Sequence, residues 1–191
     1  MYFKKGKVLI ISAPSGSGKT TIAKFLLSQN LNLVFSVSAC SRKKRKNEID
    51  GLDYYFLESQ EFKKRIQNGD FLEWEEVYEN AFYGTLRKDV EDKLHSGKNV
   101  IFDIDVKGAL TLKEIFKKDS LSLYIDVPVN IIENRLRNRG TESEQNISKR
   151  LRKIKEEKVY KKNFDAIIMN IDLIKSKKEI AKRVKEFLEI K

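Results

Sequence analysis

The segment APSGSGKTT at residues 13–21 constrains the fold of this chain more than any other feature. It follows the run KVLIIS at 7–12, which is short, apolar and β-branched, as is typical of a buried parallel strand. Residues 20–29 then repeat apolar side chains at helical spacing. A glycine-rich loop between a strand and a helix predicts a phosphate-binding loop, because backbone N–H groups and the positive end of the helix converge there.

Each residue type in this loop has a chemical reason. Gly16 and Gly18 allow the backbone to curl around a phosphate. Lys19 is expected to reach the β- and γ-phosphates of a nucleotide, and the Thr20 hydroxyl is expected to ligate Mg²⁺. Ala13 departs from the usual motif, which has glycine there, and a tight turn at alanine requires a negative φ. A turn that only caps a helix is the alternative, and the flanking strand disfavours it.

Further strands alternate with helices along the chain. Strand-like runs occur at 99–105, 121–127 and 165–170, and helical patterns occupy 106–117 and 129–138. This alternation predicts an α/β fold with a parallel sheet and right-handed crossovers. Asp103 ends one of these strands, where such nucleotide-binding folds have an acidic residue close to the metal, although an aspartate at a strand end is common in any protein.

The middle of the chain has a different hydrophobic pattern. Over 34–85 the strand-like segments VFSVSAC, DYYFL and FLEWEEVYE alternate apolar and polar residues, with one helix near 59–68, which predicts an antiparallel insert. Trp74 is interpreted as a core residue. Residues 143–161 form a strongly charged helical stretch with little apolar stripe, which favours a mobile cover over core. Residues 175–189 are predicted to form an ordinary packing helix.

Composition limits the class of protein. A chain of 191 residues with 40% hydrophobic residues is expected to form one compact domain with room for small insertions. The single cysteine, Cys40, excludes an intramolecular disulfide and indicates a reducing cytosol. No run approaches the roughly 20 apolar residues of a membrane-spanning helix, and no cleavage signal is found. A soluble, unprocessed, cytoplasmic protein is therefore expected.

The charge is strongly positive. The chain has 39 Lys plus Arg against 28 Asp plus Glu, a net charge of +11, which fits an anionic partner such as a nucleotide, a nucleic acid or a membrane surface. Most of the basic residues are lysines spread over the whole length, which favours solvated faces over a dedicated nucleic-acid surface. The arginines are grouped near 42–45 and 135–152, and their planar forks suit phosphate recognition.

Six further segments, in order over essentially the whole chain, resemble guanylate kinase, a family of enzymes that move a phosphoryl group from ATP to GMP. These segments are FSVSACSRKKR at 35–45, GLDYYF at 51–56, FLEW at 71–74, FYGT at 82–85, DIDVKG at 103–108 and RLRNRGTESEQNISKRL at 135–151. The resemblance implies a phosphate-loop core with a parallel sheet and helices on both faces, a small mixed α/β GMP-binding insert and a helical lid. It places the core at 1–34, 86–136 and 158–191, the insert at 35–85 and the lid at 137–157.

The resemblance also implies roles for individual residues. Those implied for GMP are Arg42, Arg45, Tyr54 and Tyr83 at the phosphate, Glu73 at the guanine with Ser38, Thr85 and Asp105 nearby, and Asp103 as a further substrate-binding residue. Those implied for ATP are Ser15, Gly16, Ser17, Gly18, Lys19, Thr20, Thr21, Arg135 and Asn170. Lys19, Arg45, Arg139 and Arg150 are the implied catalytic set, Thr20 the metal ligand, and ATP and Mg²⁺ the cofactors.

Departures and alternatives remain beside these expectations. Lys44 replaces a proline that is common in the family, and Ile171 replaces an aspartate near the adenine. Taken alone, Arg42 and Arg45 fit a solvated basic run, and Glu73 fits the solvent face of a strand.

The expected partners are GMP, dGMP and ATP, with no stable nucleic-acid partner, no membrane and a monomer or homodimer. The expected reaction needs no general base, because a phosphate monoester with a second pKa of ~6 is mostly ionised at neutral pH, and the only histidine, His95, is interpreted as structural.

Three other functions compete with guanylate kinase: a binding module that has lost catalysis, an RNA-binding phosphate-loop protein, and a kinase for another nucleotide such as AMP. Glu73 separates the last from a guanylate kinase, because adenine has no N1–H donor to offer its carboxylate.

Overall fold

The fold is described from a computed structural model, which covers residues 6–78, 80–138 and 143–190. The strands are β1 (Val8–Ser12), β2 (Leu33–Phe35), β3 (Ala39–Cys40), β4 (Tyr55–Phe56), β5 (Phe71–Tyr78), β6 (Ala81–Leu86), β7 (Asn99–Ile104), β8 (Ser120–Asp126) and β9 (Ala166–Met169). The helices are α1 (Lys19–Leu27), α2 (Ser59–Gln67), α3 (Arg87–His95), α4 (Val106–Phe116), α5 (Val129–Asn138), α6 (Glu144–Lys158) and α7 (Leu173–Leu188). Short 3₁₀ turns follow α4 at Lys117–Asp119 and α6 at Val159–Asn163.

The described residues fall into two compact units. Of these residues, the first unit contains 6–7 and 34–100, and the second unit contains 8–33 and those from 101 onward. Within the described residues, no helix is both long and apolar enough to cross a membrane.

The larger sheet has the strand order β2-β7-β1-β8-β9. In the second unit β1 pairs with β8, and β8 pairs with β9, in parallel. Every residue of β1 is buried, as expected for a parallel strand covered on both sides. Helix α4 packs against β1 and β8, and α7 packs against β9. The predicted α/β fold with parallel strands and flanking helices is therefore confirmed.

Helix α6 corrects one prediction. Its sequence indicates little apolar stripe, but Ile147 and Ile154 are 2% and 1% exposed, and Leu151 packs beside them. These side chains recur at i, i+4 and i+7 and therefore share one helix face. They join Ile132 and Leu136 of α5 in a cluster of their own. The stripe is narrow and lies among many lysines, which is why composition conceals it.

The first unit is built around a four-stranded sheet of order β4-β3-β6-β5. Strand β6 is antiparallel to β3 and β5, whereas β3 and β4 are parallel. Three aromatic rings form its core, with the Phe62 ring stacked on Phe71 at 4.4 Å between centroids and on Phe82 at 5.6 Å. The single helix expected near 59–68 is α2.

Two sequence predictions in this unit are wrong. Residues 34–40 do not form one strand, because β2 ends at Phe35 and β3 begins at Ala39, and the two belong to different sheets. Trp74 is not core, because it is 47% exposed. A register shift between Phe71 and Glu73 changes the phase of the alternation on β5, and such a bulge leaves no mark in the hydrophobic pattern.

Candidate functional site

The predicted phosphate loop joins β1 to α1. Gly16 and Gly18 have φ of 85° and 88°, in the left-handed region that glycine adopts at no steric cost. Ser17 donates its N–H to the Pro14 carbonyl at 3.1 Å, which closes the turn. Ala13 is not among the described non-glycine residues that have a positive φ. The alanine therefore fits this loop without left-handed strain. The loop leads directly into the N-terminus of α1, where an anion is favoured.

Asp103 of β7 binds both functional side chains at the start of α1. The Lys19 Nζ lies 2.8 Å from Asp103 Oδ1 and donates to the Ile104 carbonyl at 2.8 Å. The Thr20 hydroxyl donates to Asp103 Oδ2 at 3.0 Å. The Lys19 and Asp103 side chains are 21% and 13% exposed, so both remain open to solvent and to a nucleotide. This group, Lys19, Thr20 and Asp103, is called the phosphate-loop cluster below.

The donor set of this cluster fits Mg²⁺. A hydroxyl and a carboxylate oxygen 3.0 Å apart are hard ligands, and Mg²⁺ completes its shell with waters and nucleotide phosphates and does not need an all-protein cage. The described residues contain no group of three or more His, Cys, Asp or Glu that could hold a metal ion by themselves.

Helix α6 brings an arginine to the phosphate loop. The Arg150 Nη1 donates to the Ser15 hydroxyl at 2.6 Å, across 135 residues of sequence. Its guanidinium is therefore close to where the loop would hold a phosphate. Arg139, the other predicted lid arginine, lies outside the described residues.

A cavity of about 390 Å³ opens beside the loop in the second unit. Its lining residues are Gly16, Gly18, Thr21, Arg135, Asn138, Asn170 and Leu173, which include five of the residues predicted for ATP. Asn170 is 2% exposed and donates its amide N–H to the Ser17 carbonyl at 2.7 Å, while its buried Oδ1 has no hydrogen-bond partner. Arg135 donates to the Asn170 carbonyl at 3.2 Å. Ile171, which replaces the family aspartate, is 56% exposed.

Two further carboxylates of the second unit, Asp105 and Glu157, are electrostatic neighbours of each other. Asp105 is the N-cap of α4 and accepts the Gly108 N–H at 2.9 Å, a contact that accounts for the residue structurally. On α6, burial raises the pKa of the Glu157 carboxyl, a nearby Lys153 opposes the rise, and Asp105 adds to it. Lys19 is another electrostatic neighbour of Glu157. Sequence reasoning missed Glu157, since it is one of many charges on a charged helix.

The first unit contains the four predicted GMP phosphate residues and brings three of them, Arg42, Tyr54 and Tyr83, into contact. The Arg42 guanidinium lies over the Tyr54 ring, 4.9 Å from its centroid, and Tyr54 meets Tyr83 edge to face at 6.0 Å. Burial raises the pKa of Tyr54, and Tyr83 adds to the rise, so the phenol remains a neutral hydrogen-bond donor. Arg45 is exposed. This group, Arg42, Arg45, Tyr54 and Tyr83, is called the arginine–tyrosine cluster.

Two of the predicted base-reading residues, Glu73 and Thr85, meet in the first unit. Glu73 of β5 faces Thr85 of β6 as a cross-strand pair, and the Thr85 hydroxyl donates to Glu73 Oε1 at 2.6 Å. Thr85 is 1% exposed and Glu73 is half-buried, so the carboxylate does not point into open solvent as the strand-face alternative would require. Ser38, also half-buried, lies just before β3, and its carbonyl accepts the Tyr55 N–H at 2.9 Å.

Sequence reasoning missed two more charged groups. Glu48 binds Arg42 through two short hydrogen bonds of 2.6 and 2.7 Å. Asp126, at the end of β8, is 2% exposed and pairs with Lys158 at 2.7 Å and Lys161 at 2.8 Å. Burial acts to raise the pKa of Asp126, but the two lysines outweigh it and hold that pKa below its ordinary value. The ion pair between Asp126 and Lys158 links the C-terminal end of α6 to strand β8.

Comparison with known proteins identifies the family. A family model described as guanylate kinase matches residues 5–190. The guanylate kinase of Bacteroides fragilis is 47% identical over 187 residues, which cover 97% of this chain and 92% of that protein. The guanylate kinase of Salinibacter ruber is 44% identical over 182 residues, 95% of this chain and 96% of that protein.

A solved structure agrees with these relatives. The crystal structure of guanylate kinase from Anaplasma phagocytophilum matches with a TM-score of 0.76 at 30% identity, covering 97% of this chain and 88% of that one. Family model, relatives and structure each span nearly the whole sequence. The chain therefore belongs to the guanylate kinase family, a family of nucleoside monophosphate kinases.

Proposed function

We propose that this chain transfers the γ-phosphoryl group of ATP to GMP, giving ADP and GDP, and that it accepts dGMP as well. The observation that carries the choice of base is the Glu73–Thr85 pair in the first unit. Thr85 donates to one carboxylate oxygen of Glu73 at 2.6 Å and fixes the orientation of that side chain. A carboxylate has about four lone-pair sites, so this bond leaves it able to accept others.

Guanine matches this acceptor and adenine does not. Guanine presents two donors on one edge, the N1–H and the exocyclic amine, and a carboxylate can accept from both. Adenine has no hydrogen on N1, so the half-buried Glu73 would face an acceptor. Sites built on such hydrogen bonds reject the analogue that leaves them unpaired. This supports GMP over AMP as the phosphoryl acceptor.

The arginine–tyrosine cluster suits the phosphate of the acceptor. Guanidinium forks and phenol hydroxyls are donors that match a dianion. The attacking atom is an oxygen of that dianion, already ionised at neutral pH because the second pKa of a phosphate monoester is ~6. No general base is needed, and we assign none.

The second unit supplies the residues for ATP. Lys19 would bind the β- and γ-phosphates, and Arg150 would contact the transferring group from α6, since it already touches Ser15 of the loop. Thr20 and Asp103 would hold Mg²⁺, which when bound supplies positive charge to the phosphate oxygens. We assign 35–85 to the GMP-binding insert and 137–157 to the lid.

The residues assigned to GMP would contact its guanine base and its phosphate. Because dGMP has the same base and phosphate, this supports the use of both acceptors. The product GDP is the immediate precursor of GTP, so we infer a role in guanine nucleotide recycling and GTP supply. Cys40 is a free, buried thiol, which is compatible with a reducing compartment such as the cytoplasm.

The experiment that tests the proposal compares GMP and AMP as acceptors in Glu73→Gln. This change replaces one carboxylate oxygen by an amide donor, so the preference for GMP over AMP in kcat/KM should fall by about 1.5–3 kcal/mol, the value of a hydrogen bond to a charged group. Glu76→Gln is the matched control, because Glu76 lies on the opposite face of β5, across from Phe82. An unchanged preference in Glu73→Gln would contradict the base-reading role.

A further inference from the structure

Arg42 is held by a carboxylate that none of the expected roles includes. Glu48 accepts from Arg42 Nη1 at 2.7 Å and from Nη2 at 2.6 Å, a two-pronged contact across the end of the guanidinium. The two side chains are 17% and 16% exposed, so this is a sheltered pair and not a surface one. Glu48 also accepts the backbone N–H of Arg45 at 2.9 Å. One carboxylate thus binds the side chain of Arg42 and the backbone of Arg45.

The guanidinium is also fixed from its face. The Arg42 Cζ lies 4.9 Å from the Tyr54 ring centroid and 5.5 Å from that of Phe56. Arginine favours such stacking because its guanidinium is planar and weakly hydrated. With an aromatic contact on the face and a carboxylate on the end, the orientation of Arg42 is set before any ligand binds.

The donors of Arg42 that Glu48 does not accept indicate which edge of the guanidinium is available to a ligand. Arginine has five N–H donors. Glu48 takes two of them, and the Lys43 carbonyl takes the second hydrogen of Nη1 at 3.1 Å. The Nε–H and the second Nη2–H form the side edge of the guanidinium. The Tyr83 side chain is a further hydrogen-bond partner of the guanidinium, and a phosphate would bind beside it.

We propose that Glu48 is a positioning residue that turns the side edge of Arg42 toward the phosphate of the bound nucleoside monophosphate. This inference rests on the proposed function of Arg42 as a phosphate ligand. By charge alone, a carboxylate beside a dianion opposes binding, so its benefit must come from geometry. The hydrogen bonds from Arg42 and then Arg45 hold the pKa of Glu48 at about 2, so it is ionised throughout the range in which the enzyme would be assayed.

Geometry and charge make opposite predictions for Glu48→Gln. Loss of the two-pronged contact frees Arg42 to rotate, which weakens phosphate binding. Loss of the negative charge alone would strengthen it. We therefore expect the Kd of GMP, measured by calorimetry, to rise about ten-fold or more, the effect of losing a strong charge-assisted contact. The Kd of guanosine, which has no phosphate, should change less than about two-fold.

Two further variants separate position from damage to the unit. Glu48→Asp keeps the charge but withdraws the carboxylate by one methylene, so it should weaken GMP binding in the same direction. Glu61→Gln is the matched control, because Glu61 pairs with Arg65 at 2.8 Å on α2 in the same unit. That control should bind GMP as the wild type does. Steady-state assays of Glu48→Gln should show a larger rise in the KM for GMP than fall in kcat.

The outcomes are distinguishable. A wild-type protein that does not bind GMP would overturn the proposed function. Wild-type binding with unchanged or tighter binding by Glu48→Gln would overturn only the role of Glu48. Equal losses for GMP and guanosine in both Glu48 variants would likewise overturn it, because they would indicate general damage to the unit. A loss confined to GMP in both variants would support positioning.

Discussion

Gly18 offers a quantitative test of the phosphate loop. Its φ is 88°, and a Cβ added there would lie 2.8 Å from the amide nitrogen of Asn170, closer than real Cβ contacts allow. That nitrogen donates to the Ser17 carbonyl at 2.7 Å. Gly18→Ala therefore has two costs. The left-handed backbone costs alanine about 1–2 kcal/mol, and displacing Asn170 removes a hydrogen bond of about 0.5–1.5 kcal/mol.

The sum is a loss of about 1.5–3.5 kcal/mol in the free energy of unfolding, measured by a urea titration monitored by circular dichroism. Gly69→Ala is the control for the backbone cost alone, because Gly69 has φ of 73° and no atom within 4 Å of the added Cβ. It should lose about 1–2 kcal/mol. Binding of ATP should weaken in Gly18→Ala and not in Gly69→Ala, because the shifted loop and Asn170 both line the cavity proposed for ATP.

Two results would refute this reasoning. Equal losses in the two variants would show that the Cβ at Gly18 does not displace Asn170. Wild-type stability in Gly18→Ala would show that the loop does not require a left-handed residue there.

Two further predictions concern charged groups of the second unit. Lys19→Ala should lower the rate of ADP release by about 100-fold or more, because it removes a donor at the transferring phosphate. The Kd of GMP should change little. Wild-type turnover in this variant would contradict the role of Lys19. Because the folded pKa of Asp126 is depressed, its contribution to stability is present above its unfolded pKa of about 3.9 and is lost as pH falls through the folded value. The melting temperature of the wild type should therefore fall more steeply below about pH 4 than that of Asp126→Asn, and parallel curves would argue against the pair with Lys158 and Lys161.

Local patterns predicted the core of the fold well. The strand, glycine loop and helix from 7–29 correspond to β1, the loop and α1, and the later strands at 99–105, 121–127 and 165–170 correspond to β7, β8 and β9. Hydrophobic periodicity works here because β1, β8 and the middle of β7 are buried as nearly continuous runs, whereas β9 is apolar in sequence but leaves Ile167 and Met169 exposed.

The pattern failed where burial depends on context. The sequence favours Trp74 as a core residue, but with the register shift on β5 it is exposed. The stripe on α6 needs only three apolar residues because it packs against α5, and so few residues do not stand out in a lysine-rich segment.

The candidate site was predicted residue by residue from family motifs, whereas its contacts were not. Thr20 and Asp103 are 83 residues apart, and Ser15 and Arg150 are 135 apart, so no local pattern links them. Glu48 is close to Arg42 in sequence and was still missed. A basic run such as RKKRK is compatible with solvated side chains, and only the fold shows that a carboxylate folds back onto the first arginine.

The most direct measurement is ADP release by the purified wild-type protein from Mg·ATP with GMP, dGMP, AMP, UMP or no acceptor. The Glu73–Thr85 pair and the arginine–tyrosine cluster predict turnover with GMP and dGMP, and background rates with AMP, with UMP and without acceptor. Comparable turnover with AMP, or no turnover with GMP in the folded protein, would contradict the proposed function.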